Sequence, residues 1–145
     1  MDALTDEHGQ ALVVAVLFLA IAAVVIGGLR LAQEQILAAA REHRAGEAAA
    51  EAATAVVADA YLAELRRVAA STASPRPRPD IPGVVSAPGT RQAAQAAASD
   101  LSVRNGGDPI SDVEIRCTLG NVDVALLLHA RTYRAGFAAA ECFQR

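Results

Sequence analysis

Aromatic side chains are scarce in this chain, which has three Phe, two Tyr and no Trp. One of them, Phe18, falls in an apolar N-terminal stretch, so only Tyr61, Tyr133, Phe137 and Phe143 remain to fill any core built by the rest. A core that thin needs a staple or a partner. Lysine is absent, and all 13 basic residues are Arg; beside so much Ala this reflects codon usage and carries no chemistry. The formal net charge of −3 is too small to argue for nucleic acid or strong electrostatic steering. No glycine-rich phosphate loop, nucleophile elbow or paired-carboxylate constellation stands out, so nothing points to an enzyme, a cofactor or a small-molecule substrate.

Residues 11–29 contain no charge, proline or strongly polar side chain. As a helix they would extend about 28 Å, close to the roughly 30 Å of a bilayer's hydrocarbon core. A core helix of a soluble domain would show a polar face at a period of about 3.6 residues, and this stretch has none. A cleaved secretory signal competes less well. Its basic leading region is missing, because residues 1–9 hold Asp2, Asp6 and Glu7 without Lys or Arg. The sequence predicts a single membrane span over residues 10–30, preceded by a leader-like segment at 1–9.

Helix-favouring Ala, Leu, Glu, Gln and Arg continue to about residue 70 without a proline, which predicts one long helix whose part at 31–70 lies outside the membrane. Gly27, Gly28 and Gly46 are its expected weak points, each costing about 1 kcal/mol relative to Ala. Arg44, Glu47 and Glu51 form salt-bridged turns between alanines that permit close helix approach. Val56, Val57, Tyr61, Leu62, Leu65 and Val68 are expected to pack on the last part of the chain. Five of the six prolines lie in residues 71–90, which read as a linker or extended loop; a Pro-rich recognition motif is the less favoured reading.

In the last segment, 91–145, a short helix is expected at 91–99 and a turn at 105–109. Alternation of Val113, Ile115, Cys117 and Leu119 with polar residues predicts a half-buried strand, and Val122, Val124, Leu126 and Leu128 a second one after a turn at Gly120-Asn121. A third strand is expected around 137–143. The fold class is α+β: one long N-terminal helix followed by a small antiparallel sheet.

Cys117 and Cys142 are the only cysteines, and both fall in this sheet region. A disulfide is the leading reading, with two buried free thiols as the alternative; their separation does not match zinc-binding motifs. A disulfide requires an oxidising location and would place the C-terminal region outside the cytosol. His8, His43 and His129 are scattered over three segments and read as ordinary surface or core residues. Glu47 and Glu51 share a helix face with opposite charges around them, a solvated surface.

The segment EHGQALVVAVL at residues 7–17, with Gly9-Gln10-Ala11-Leu12-Val13 at its centre, resembles the start of TadE/TadG-like proteins of tight-adherence (Flp) pilus systems. The resemblance implies a pilin-like protein, processed by a prepilin peptidase between Gly9 and Gln10. It also implies partners in the bacterial inner membrane, namely other pilin-like subunits and the pilus or secretion assembly machinery. Family members often carry Glu at the fifth mature position, followed by an aromatic residue, whereas this chain has Val14 and Ala15. A buried carboxylate there would pair with a neighbour's amine, which Val14 cannot do. The resemblance therefore implies a minor or assembly-associated subunit, with Ala11, Val14, Ala15, Ala22, Gly27 and Gly28 on its packing helix.

Arg30, Arg41 and Arg44 follow the span and no basic residue precedes it, so counting positive charge alone would put the C-terminus in the cytosol. The pilin-like arrangement and the expected disulfide favour the opposite orientation. Two other functional classes remain: a membrane-anchored extracellular binding module and, least favoured, an anchored enzyme.

Overall fold

A computed structural model describes the backbone of residues 5–142 and side chains from Leu12 to Cys142. Its elements run α1 (Thr5–Ala69), α2 (Ile81–Ser86), α3 (Pro88–Arg104), β1 (Val113–Thr118), β2 (Asn121–Leu128) and β3 (Arg131–Ala138). This is the expected α+β arrangement, one long helix followed by a three-stranded antiparallel sheet. The chain divides into two compact units, Met1–Ala40 and Arg41–Arg145. In the first, the large apolar side chains of α1 from Leu12 to Leu37 are exposed. The second holds the core.

α1 persists because no proline interrupts it and Ala, Leu, Glu and Arg resist unwinding. Of the leader-like segment at 1–9, residues 5–9 belong to this helix, and the others lie outside the described residues. Within the second unit, Ala45, Ala49, Ala53 and Val57 recur every four residues and are wholly buried. They join one core cluster with Ile81, Val85, Ala94 and Ala98 of α2 and α3 and with the sheet's inner side, Val113, Ile115, Val122, Val124, Leu126, Leu128 and Tyr133. Small residues let neighbouring elements approach closely, as at Gly46, where the Tyr133 ring lies against the helix backbone. The alanines at 45–57 thus serve the chain's own core.

Gly46 proves to be a contact point more than a weak one. The Tyr133 ring occupies the space into which a Cβ at Gly46 would project. The expected cluster at the end of α1 does pack on the end of the chain: Tyr61 lies 5.5 Å from Phe137 between ring centroids. Its hydroxyl donates to Glu141 Oε2 at 2.6 Å. Leu62, in contrast, faces outward.

Several expectations need correction. Residues 71–90 are not wholly linker, since α2 and the start of α3 lie there. Asp80 caps α2 by accepting from the Gly83 N–H at 3.1 Å, and Pro82 and Pro88 occupy first-turn positions where a missing N–H costs nothing. Ile81 and Val85, one turn apart, are fully buried. α3 runs to Arg104, well beyond residue 99, burying Ala94, Ala98 and Ser102. The first hairpin turn is Leu119-Gly120, one residue earlier than expected, because Thr118 already pairs with Asn121. Leu119 is therefore an exposed turn residue.

The third strand is Arg131–Ala138, not 137–143, and Phe143 lies outside the described residues. It follows β2 through a two-residue turn in which His129 and Ala130 have φ of 49° and 63°. Tyr133 pairs with Leu126, and Phe137 with Val122.

Candidate functional site

The features that could carry function are the open apolar helix and the sheet domain closed by a disulfide. From Leu12 onward α1 is long and apolar enough to cross a membrane, and its most apolar window has a mean hydropathy of 3.0 with none of it buried. Val14 is 50% exposed and Phe18 68%, values an aqueous protein would not sustain along a whole helix circumference. This fits a single membrane span close to the N-terminus. Ala15 and Ala22 are exposed on the same helix, and a Cβ added at Gly27 or Gly28 would meet nothing. Gly9, Gln10 and Ala11 lie within the helical backbone of α1, and their side chains lie outside the described residues.

Cys117 and Cys142 form a disulfide, with Cα atoms 5.2 Å apart and a sequence separation of 25. Cys142 is fully buried. Around the bridge, the Gly120 N–H donates to the Cys142 carbonyl at 2.7 Å and the Ala139 N–H to the Gly120 carbonyl at 2.8 Å. The segment after β3 is thereby tied to the first hairpin turn.

Two charged clusters brace the domain, one around Glu64, which no sequence pattern marks, and one around His129, expected to be an ordinary surface or core residue. Glu64 is 7% exposed although it is ionic. Arg67 donates to both its oxygens at 2.6 Å, and the Asp80 N–H donates to Oε1 at 3.1 Å. The Arg67 guanidinium first, then that backbone N–H, hold the Glu64 carboxyl down to about 2. Ordinary helix-surface spacing, Glu and Arg three apart, hides this role. His129 is the second case. Its Nε2 lies 2.6 Å from Asp108 Oδ2, and its Nδ1 3.7 Å from Glu42 Oε1. The hydrogen bond to Asp108 raises the imidazole above its ordinary value, with further help from the Glu42 charge.

His43 and Glu47 are 3.2 Å apart on the α1 surface, both largely exposed, as a solvated helix face would have it. Among the described residues, no three His, Cys, Asp or Glu side chains are grouped to hold a metal ion. No family model, curated protein or solved structure matches the chain. Its functional reading therefore rests on its own residues.

Proposed function

We propose that this protein is a TadE/TadG-like minor pilin or pilus-assembly subunit of the bacterial inner membrane, acting by helix packing with other subunits. The observation that carries this reading is the unpartnered apolar helix from Leu12 to Leu29, whose large side chains stay exposed while a separate core forms beyond Arg41. The GQALV segment at residues 9–13 adds the pilin-like resemblance. Within a bilayer, helices associate through close van der Waals contact, which small residues such as Ala15, Ala22, Gly27 and Gly28 allow. Prepilin peptidase would cut between Gly9 and Gln10. The disulfide favours an extracytoplasmic C-terminal domain, because such bonds persist in oxidising compartments.

One observation favours the alternative, a single-span anchored binding module: the alanine face at 45–57 is already buried in the chain's own core. Intersubunit packing is then confined to the helix before Arg41 and to surfaces of the sheet domain. Replacing Ala15 or Ala22 by Arg or Glu separates the two readings. For an assembly subunit, either substitution abolishes co-purification with pilus components. Normal co-purification would refute it.

A further inference from the structure

The two outer strands of the sheet differ in their surroundings. α2 and α3 both pack against β1, whereas β3 pairs with β2 alone. The two-residue turn at His129-Ala130 makes Leu128 and Arg131 a hydrogen-bonded pair, and such pairs alternate along an antiparallel ladder. Arg131, Tyr133, Ala135 and Phe137 therefore direct their backbone groups to β2, while Thr132, Arg134 and Gly136 turn theirs to the open side. All three of these are exposed.

An open row of N–H and C=O groups is a template for another strand, and natural edges are blunted by proline, a bulge, an inward-pointing charge or brevity. β3 uses none of these. It has eight residues, pairs without a bulge, holds no proline and packs Tyr133, Ala135 and Phe137 inward. Beside its open side lies a cavity of about 350 Å³, between residues 132–135 and the α1 side chains His43, Glu47 and Glu51. His43 pairs with Glu47 at 3.2 Å, and Glu51 has no ion pair among the described residues. β3 runs alongside α1 in the same sense, with the Tyr133 ring 5.9 Å from His43 and the Phe137 ring 5.5 Å from Tyr61. Glu47 and Glu51 are about 6 Å apart along the helix. Same-side residues of a strand are spaced by roughly 6.6 Å, a close match.

We propose that the open edge of β3 docks an extended segment of a partner protein that bears Arg or Lys on alternate residues. A strand added there places every second side chain on the inner side of the sheet, in line with Tyr133 and Ala135 and over Glu47 and Glu51. Two cations at alternate positions meet the two carboxylates, and the residues between them lie beside Thr132 and Arg134, where neutral or acidic side chains fit. Main-chain hydrogen bonds supply affinity and the alternating side chains supply specificity. A second copy of β3 fits less well. Its inward residues Tyr133, Ala135 and Phe137 carry no charge and already pack in their own core, and antiparallel pairing of two such edges brings the arginines of both copies together. The docking edge depends neither on processing at Gly9 nor on how the apolar helix packs.

The test uses the full chain in detergent and a synthetic peptide of alternating Thr and Arg long enough to span β3. Amide hydrogen exchange at Thr132, Arg134 and Gly136, fast in the free chain, is expected to slow about tenfold or more when the peptide binds. Glu47→Gln combined with Glu51→Gln weakens binding by about tenfold, and an unchanged unfolding midpoint verifies that the fold of this surface variant is kept. N-methylation of every Thr, or of every Arg, removes the N–H groups from one edge of the peptide and keeps its charge. One methylated form therefore loses binding and the other retains it. Equal binding by both forms and by a shuffled peptide with its Arg in one run would reduce the effect to charge attraction and overturn the docking edge. Absence of protection at the three amides, or binding indifferent to Glu47 and Glu51, would overturn it as well. Edge amides already protected without peptide would overturn it in favour of a second copy.

Discussion

The ring of Tyr133 rests on the bare backbone of Gly46, and its buried hydroxyl has no hydrogen-bond partner among the described residues. An alanine at position 46 would gain about 1 kcal/mol of helix propensity, but its methyl group would collide with the ring. Overpacking of this kind costs about 1 to 3 kcal/mol. Gly46→Ala should therefore be destabilising overall, seen as a lower midpoint in chemical unfolding of the second unit. Tyr133→Phe should be neutral or stabilising, because an unmade buried hydrogen bond costs about 1 to 3 kcal/mol. A stabilised Gly46→Ala would show that the ring does not sit there.

His129 faces a carboxylate from each ring nitrogen, Asp108 at 2.6 Å and Glu42 at 3.7 Å. Only the imidazolium is drawn to both, through a hydrogen bond to Asp108 and through charge to Glu42. Because the folded state raises this group above the unfolded value of 6.5, its contribution is fully present below pH 6.5. It is lost as pH rises through the folded value. The unfolding midpoint should fall across that window, and His129→Gln should flatten the dependence. Proton NMR of the His129 ring supplies the titration directly.

Glu64 has the opposite sign. Its carboxyl is held from 4.5 to about 2, so its stabilisation is present above pH 4.5 and fades as pH falls toward 2. The structural consequence is local, because Glu64 anchors the Asp80 N–H where α2 begins. Glu64→Gln should speed hydrogen exchange at the Asp80 amide and around α2, with smaller changes in β2. Unchanged exchange there would remove Glu64 from the bracing of that segment.

The Cys117–Cys142 bridge closes a loop with a sequence separation of 25. A loop of this size restricts the unfolded chain by on the order of 3 kcal/mol. Paired replacement of Cys117 and Cys142 by Ser and Ala should lower stability by about that amount, measured by denaturant titration of the full chain in detergent. Loosening of the first hairpin turn should accompany it, visible as faster exchange at the Gly120 amide.

Much of the fold was legible because the periods were clean. The uncharged run at 11–29, the proline-free stretch to Ala69 and the alternation from Val113 to Leu128 each leave few options. The turns were less readable. Leu119-Gly120 and His129-Ala130 adopt left-handed backbone with residues that rarely signal it, so one turn shifted by a residue and β3 was displaced toward the C-terminus. α2 was hidden because proline usually breaks helices, yet Pro82 and Pro88 stand in first turns. Among functional residues, the cysteine pairing could be read from two cysteines in one sheet region. The roles of Glu64, His129 and Gly46 depend on partners 16 to 87 residues away in sequence, which no local pattern reveals.

Intact mass of the chain extracted from membranes of its native host, before and after reduction and thiol alkylation, distinguishes a processed pilin-like subunit from an unprocessed anchor. A processed subunit gives a membrane-retained species beginning at Gln10, with Cys117 and Cys142 protected until reduction. A chain still carrying residues 1–9, with both thiols freely alkylated, would contradict a processed pilin-like subunit whose C-terminal domain lies outside the cytosol.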